Sequence, residues 1–215
     1  MPEARTVTLP PMPPIPDAAG MFEPEAYVPD EALAEWVREQ FVLGPGPLYN
    51  REHEHLGGAD VRFLWTQRPN RVKRQDVVGR AHLGEPSGSD AWARGMKADH
   101  LTRLFGTVPD FYVTLCAGFV RARLREGDEA AVMALIDHEL YHCAQDTRDG
   151  VPLFGADGRP KWAMRPHDVE QFVGVTRRWG PQGEAERMMS AAAERGPTIG
   201  QAKVAGVCGN CASKL

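Results

Sequence analysis

The stretch LIDHELYHC, Leu135 to Cys143, places two histidines four residues apart with a glutamate beside the first. On a helix, positions four apart share a face one turn along, so His138 and His142 can aim their imidazoles at a single ion. Neutral imidazole nitrogen suits Zn2+, which binds it at ~2.0–2.1 Å. Glu139 can reach a water on that ion without becoming a ligand. Zinc draws the pKa of such a water toward ~7, and Glu139 would take its proton and pass it to a leaving amine. The chemistry on offer is hydrolysis of a peptide bond, with Zn2+ as cofactor and Glu139 as base. The plainer alternative is a pair of core histidines bonded to backbone carbonyls, with Glu139 at the surface. A buried helix face rarely spends two histidines in that way.

A catalytic zinc takes three protein ligands and keeps one position open. Downstream, RPHDVEQF offers His167, Asp168 and Glu170. His167 is the first choice, held by Pro166 just before a predicted helix. Glu170 is the rival third ligand, and the choice between them stays open. Asp168 is read as the helix cap, or as a carboxylate that orients an imidazole. Arg165 and Tyr141 are candidates for a second oxyanion donor by their place in the sequence.

The other groups with chemical potential carry less. His53 and His55, in EHEHL, would share a face in a strand, but no third ligand stands nearby. His55 is expected to pack or cap and His53 to be solvated. His82 and His100 have no evident partners. Cys208 and Cys211 form a lone CGNC, half of a zinc ribbon, and are expected in a frayed tail. Cys116 and Cys143 sit in apolar surroundings and read as buried thiols.

These residues need elements to hold them. EAAVMALIDHELYHCAQ is predicted as a helix capped by Asp128, with Ala131, Leu135, Leu140 and Ala144 on its apolar face. DFYVTLCAGF, just upstream, opens as a buried strand, and an extended peptide substrate is expected to pair with it near Phe111 to Leu115. Upstream again, DEALAEWVREQFVL is a helix capped by Asp30, with Leu33, Trp36, Val37 and Phe41 at helical spacing. DVRFLWTQ and VVGRAHL read as strands. Their connector carries Arg68, Arg71, Lys73 and Arg74 and reads as a solvated loop, with nucleic-acid contact the lesser alternative. Between His142 and His167 the chain makes an excursion, with ADG turning between the apolar runs VPLF and KWAM. A helix follows Asp168, with Phe172, Val175 and Trp179 on one face, and another is expected in EAERMMSAAAERG.

Composition bounds the rest. The 215 residues suit one domain, and an apolar fraction of 42% supports one core. A net charge of −4 gives no overall basic field to attract nucleic acid. No apolar run approaches a membrane span, and the first residues hold no apolar h-region, so a cytoplasmic protein is expected. The boundaries read as a proline-rich arm over 1–30, a catalytic domain over 31–180, and a helix with a flexible CxxC tail over 181–215.

Taken in order, HEHLGGADVRFLW, PDFYVTLCA, ALIDHELYHC and DGRPKWAMRPHDVEQFVGVTRRWG resemble the putative phage metallopeptidase family over about Asn50 to Gly180. That resemblance implies an α+β, zincin-like minimal metallopeptidase domain whose small mixed sheet packs on the HExxH helix. It implies His138, His142 and His167 as metal ligands, Glu139 as base, a peptide or protein as substrate, and a host-cell cytoplasmic setting if phage-encoded. SprT-type zincin domains are more distantly similar. They usually carry a zinc ribbon, which the lone CGNC does not supply. The competing expectation is a non-catalytic, zinc-stabilised binding module on the same scaffold, with a protein or DNA partner.

Overall fold

The structure, a computed structural model, describes residues 7–16, 26–72, 74–167, 181, 183–196, 198 and 207–208. Lys73, Asp168, Glu170, the helix expected after Asp168, and Cys211 lie outside them.

Asp30 caps helix α1 (Glu31–Val37): its Oδ1 accepts the Leu33 N–H at 2.8 Å, and its Oδ2 accepts the Trp65 indole N–H at 2.7 Å. Losing such a cap costs about 1 kcal/mol. A π-helical turn, Arg38–Val42, continues α1, and Leu33, Val37 and Phe41 bury one face. The segment YNREHEHLGG forms a 3-10 run, Arg51–Gly58, capped by Asn50.

Strand β1 (Tyr27–Pro29) precedes α1, and β2 (Val61–Thr66) follows the 3-10 run. The basic connector holds a short β3 (Arg71–Val72), which folds back on β4 (Gln75–Leu83). Helix α2 (Ala91–Phe105) is capped by Asp90 and stopped by Gly106, whose φ of 76° suits glycine. Strand β5 (Phe111–Cys116) leads directly into α3 (Ala117–Arg125). Helix α4 (Glu129–Tyr141) then starts at its expected cap, with Asp128 Oδ1 accepting the Ala131 N–H at 3.1 Å. The excursion comprises β6 (Cys143–Gln145), β7 (Thr147–Arg148), β8 (Val151–Pro152) and β9 (Trp162–Met164). Helix α5 (Glu184–Arg195) and β10 (Val207–Cys208) complete the described elements.

The main sheet is mixed, with strand order β1-β2-β5-β4-β10 and β3 attached to β4. β2 runs parallel to β5, and β4 runs antiparallel on its other side; Phe63 and Ala81 both face Val113 in register. Alternation then sorts the side chains. Phe63, Trp65, Phe111, Val113 and Leu115 are buried, while Tyr112, Thr114 and Cys116 point to the other face. Leu135 and Glu139 of α4 lie against Gly79 of β4, so the buried face is the one that carries α4. Each such Leu or Phe stabilises the fold by about 1.5–3 kcal/mol on burial. The chain is thus an α+β domain with a small mixed sheet packed on the helix that carries the histidines.

Several expectations change here. β5 is bonded to β2 on one side and β4 on the other, so its backbone groups are used and no peptide can join it near Phe111 to Leu115. Helix α4 ends early: His142 is its C-cap, and Cys143 leaves in a ladder with Met164. Ala144, expected on the apolar face of the helix, is therefore on a strand. Within the expected 1–30 arm, β1 pairs with β2 and Ile15 is buried. Val207–Cys208 pairs with β4 in place of a frayed tail. No helix among the described residues is long and apolar enough to cross a membrane.

Candidate metal centre

Helix α4 presents His138 in its last turn and His142 at its cap. The excursion returns through β9, whose ladder with β6 pairs Cys143 with Met164 and Ala144 with Ala163. Beyond that ladder, residues 142 and 165 are joined twice. The Arg165 N–H donates to the His142 carbonyl at 2.9 Å, and the His142 ring donates from Nδ1 to the Arg165 carbonyl at 2.8 Å. Two residues later comes His167.

The three rings converge. Centroids of His138 and His142 are 5.1 Å apart, those of His138 and His167 5.3 Å, and those of His142 and His167 5.1 Å. One nitrogen from each lies within 4.8 Å of the others. Three imidazoles with a few ångströms between their nitrogens make a donor set that fits a divalent ion. With Nδ1 of His142 bonded to a carbonyl, Nε2 is the nitrogen that would face an ion, an arrangement metal-ligating histidines commonly show. The C-terminal end of α4 also carries partial negative charge, which favours a cation there.

The electrostatics agree. Burial, and then the neighbouring His142 and His167, push the pKa of His138 down to about 4, while Asp137 pulls the other way. His138 is therefore neutral near pH 7, with a lone pair to give.

Glu139 is wholly buried, which removes the alternative that placed it at the surface. Its Oε2 accepts the Ala81 N–H at 2.8 Å, so the carboxylate bridges α4 and β4. An ionised carboxylate offers about four lone-pair positions, and this bond uses one. The backbone nearest the glutamate is that of β4, and not that of β5.

The end of α4 is also gripped from behind, by a group of residues the sequence did not advertise. His53 is fully buried, against the expectation of a solvated side chain. Its Nε2 lies 2.7 Å from Asp137 Oδ1, and its ring meets Tyr141 edge-on with centroids 4.6 Å apart. Asn50 Nδ2 donates to the Tyr141 hydroxyl at 2.9 Å. His55 Nε2 lies 2.9 Å from the Cys143 carbonyl, so His55 caps as expected. The 3-10 run thus holds the residues flanking each HExxH histidine. One signal was in the sequence: the polar Asp137 in an otherwise apolar approach to the motif.

The remaining expectations divide. Arg165 stacks its guanidinium over Tyr141 at 5.7 Å, so the two oxyanion candidates lie together. His82 lies flat on Tyr112, with centroids 4.5 Å apart, away from the triad. Burial pushes the Cys143 thiol far up, with the Glu139 charge adding to it, which leaves an inert sulfur; Cys116 is half-buried.

A family model for putative phage metallopeptidase matches residues 34–193, a span that includes all three histidines and Glu139. No curated protein and no solved structure matches the chain.

Proposed function

Because the chain belongs to the putative phage metallopeptidase family, we propose that it is a zinc-dependent peptidase of the HExxH type. The observation that carries the reading is the meeting of His138, His142 and His167 within 4.8 Å beside a buried glutamate. His138, His142 and His167 would hold the ion. Zinc, when bound, supplies a Lewis acid that acidifies water and polarises a carbonyl. Glu139 takes the proton of the attacking water and delivers it to the departing amine. The Ala81 N–H steadies one carboxylate oxygen while the other moves the proton. The double tie between His142 and Arg165 keeps the return strand, and with it His167, in place for loading. The clamp from Asn50, His53 and His55 fixes the helix end, so the two helical ligands keep their spacing.

One observation favours a second reading. Glu139 already serves as a buried link between α4 and β4. In that reading the ion and the carboxylate are structural, and the domain binds a partner without turnover.

Glu139→Gln separates the two. Glutamine keeps an oxygen to accept the Ala81 N–H, so the fold and the zinc content should survive. The peptidase reading expects cleavage of an unstructured protein to fall by ~10²–10⁴-fold, the usual share of a general base. Undiminished cleavage would exclude Glu139 as the base. Zinc analysis beside His138→Ala and His167→Ala tests the ligands, and one ion per chain lost in both variants is the expected result.

A further inference from the structure

The sheet face turned away from α4 borders a cavity of about 700 Å³, roofed in part by α2. That volume falls in the range of small-molecule sites, ~300–1,000 Å³. None of His138, His142, His167 or Glu139 lines it. Its charge is one-sided. Among the described residues, Arg68, Arg80, His82 and His100 contribute to the wall and no aspartate or glutamate does, although the chain holds 29 acidic against 25 basic residues. The Nε of Arg80 is buried and has no hydrogen-bond partner among the described residues. Burying such a donor is costly unless something accepts from it.

The wall is also aromatic. His82 and Tyr112 form a flat stack with 7° between their planes, and the Arg68 guanidinium lies 5.6 Å over the Tyr27 ring. Guanidinium groups match phosphate oxygens in a fork, and flat rings accept a planar base by stacking. A phosphate alone would leave most of the cavity empty.

We propose that this cavity is a nucleotide-binding site, with Arg80 and Arg68 taking the phosphate and the His82–Tyr112 stack or Tyr27 taking the base. The site stands independently of the hydrolytic reading. It gives the basic connector, which supplies Arg68, a use beyond solvation. Whether the nucleotide is free or ends a nucleic-acid strand is a matter of source and not of recognition.

Calorimetric titration of the full chain tests this, with AMP, ADP, inorganic phosphate and a short 5′-phosphorylated oligonucleotide as probes. Saturable nucleotide binding at least ~10-fold tighter than phosphate is expected, since the ring adds stacking. Arg80→Gln should weaken it ~10-fold or more by removing the charged fork. Thr114→Phe, which fills the cavity from β5 beside Arg80 while leaving both arginines in the chain, should abolish it, and it decides alone if the arginine variant does not fold. A tighter oligonucleotide than mononucleotide assigns the site to a strand end; the reverse order assigns it to free nucleotide. The proposal fails if no probe saturates, if phosphate binds as tightly as ADP, or if folded Thr114→Phe binds like wild type.

Discussion

A methyl group on Gly79 would come within 2.8 Å of Glu139 Oε1 and 2.9 Å of Leu135 Cδ1. Helix α4 therefore approaches β4 as closely as a missing side chain permits. Gly79→Ala should destabilise the fold by about 1–3 kcal/mol through overpacking, and on the proposed peptidase reading should cut turnover more than zinc content because it pushes on Glu139. Urea unfolding reads the first effect, and metal analysis beside a cleavage assay reads the second. Unchanged stability would mean that helix and strand can part at little cost.

His53 is buried against Asp137 and Tyr141 without being a ligand candidate. Its removal opens a void and strips Asp137 of a partner. His53→Ala should cost about 2–4 kcal/mol, combining a lost charged hydrogen bond with a cavity. A loss below about 0.5 kcal/mol, the usual range of a surface change, would contradict the clamp.

Burial, with Arg80 and Lys97 adding to it, pushes the pKa of His82 down from 6.5 to about 4. The folded value lies below the unfolded one, so the unfolded chain takes up this proton first. The stability His82 contributes is complete above pH ~6.5 and is lost as pH falls toward ~4, by about 2–3 kcal/mol. His82→Gln should flatten that part of the profile. Unfolding free energies measured between these limits, with chelator in both samples to keep the metal out of the difference, check the slope.

An ion that binds only the folded chain adds stability by mass action, about 4 kcal/mol when free zinc stands at ~1,000 times its dissociation constant. At roughly 2–4 °C per kcal/mol for a chain of this size, Tm should rise by roughly 10 °C. EDTA should reverse the rise, and His167→Ala should show none of it. A rise of the same size in that variant would place the ion elsewhere.

The parts of this molecule that could be read from sequence are those decided locally. Asp30 and Asp128 announced helix starts, because a cap needs only its own next three residues. The alternation of β5 was visible for the same reason. Its central position was not, since sheet order depends on pairings with β2 and β4 across long stretches of chain. The end of α4 was misplaced because CAQ continues a good helical pattern; the helix stops where the Arg165 N–H claims the His142 carbonyl, a partner 23 residues away. Ligand chemistry put His167 forward beside Glu170, and the structure brings the His167 ring to the other two imidazoles. His53 could not be placed, because a spacing of two suggests a strand and the structure uses a 3-10 run.

β10 lies along β4 at Val77 and Gly79, and β3 lies along it at Gln75 and Asp76. A bare strand border invites the backbone of another molecule to zip onto it. In this chain the first half of that border, Gln75 to Gly79, is covered by a neighbouring hairpin and by a segment from the far end of the sequence. Copies shortened before residue 207 would lose half the seal, and light scattering at rising concentration would show them adhering side by side where the longer chain stays dispersed.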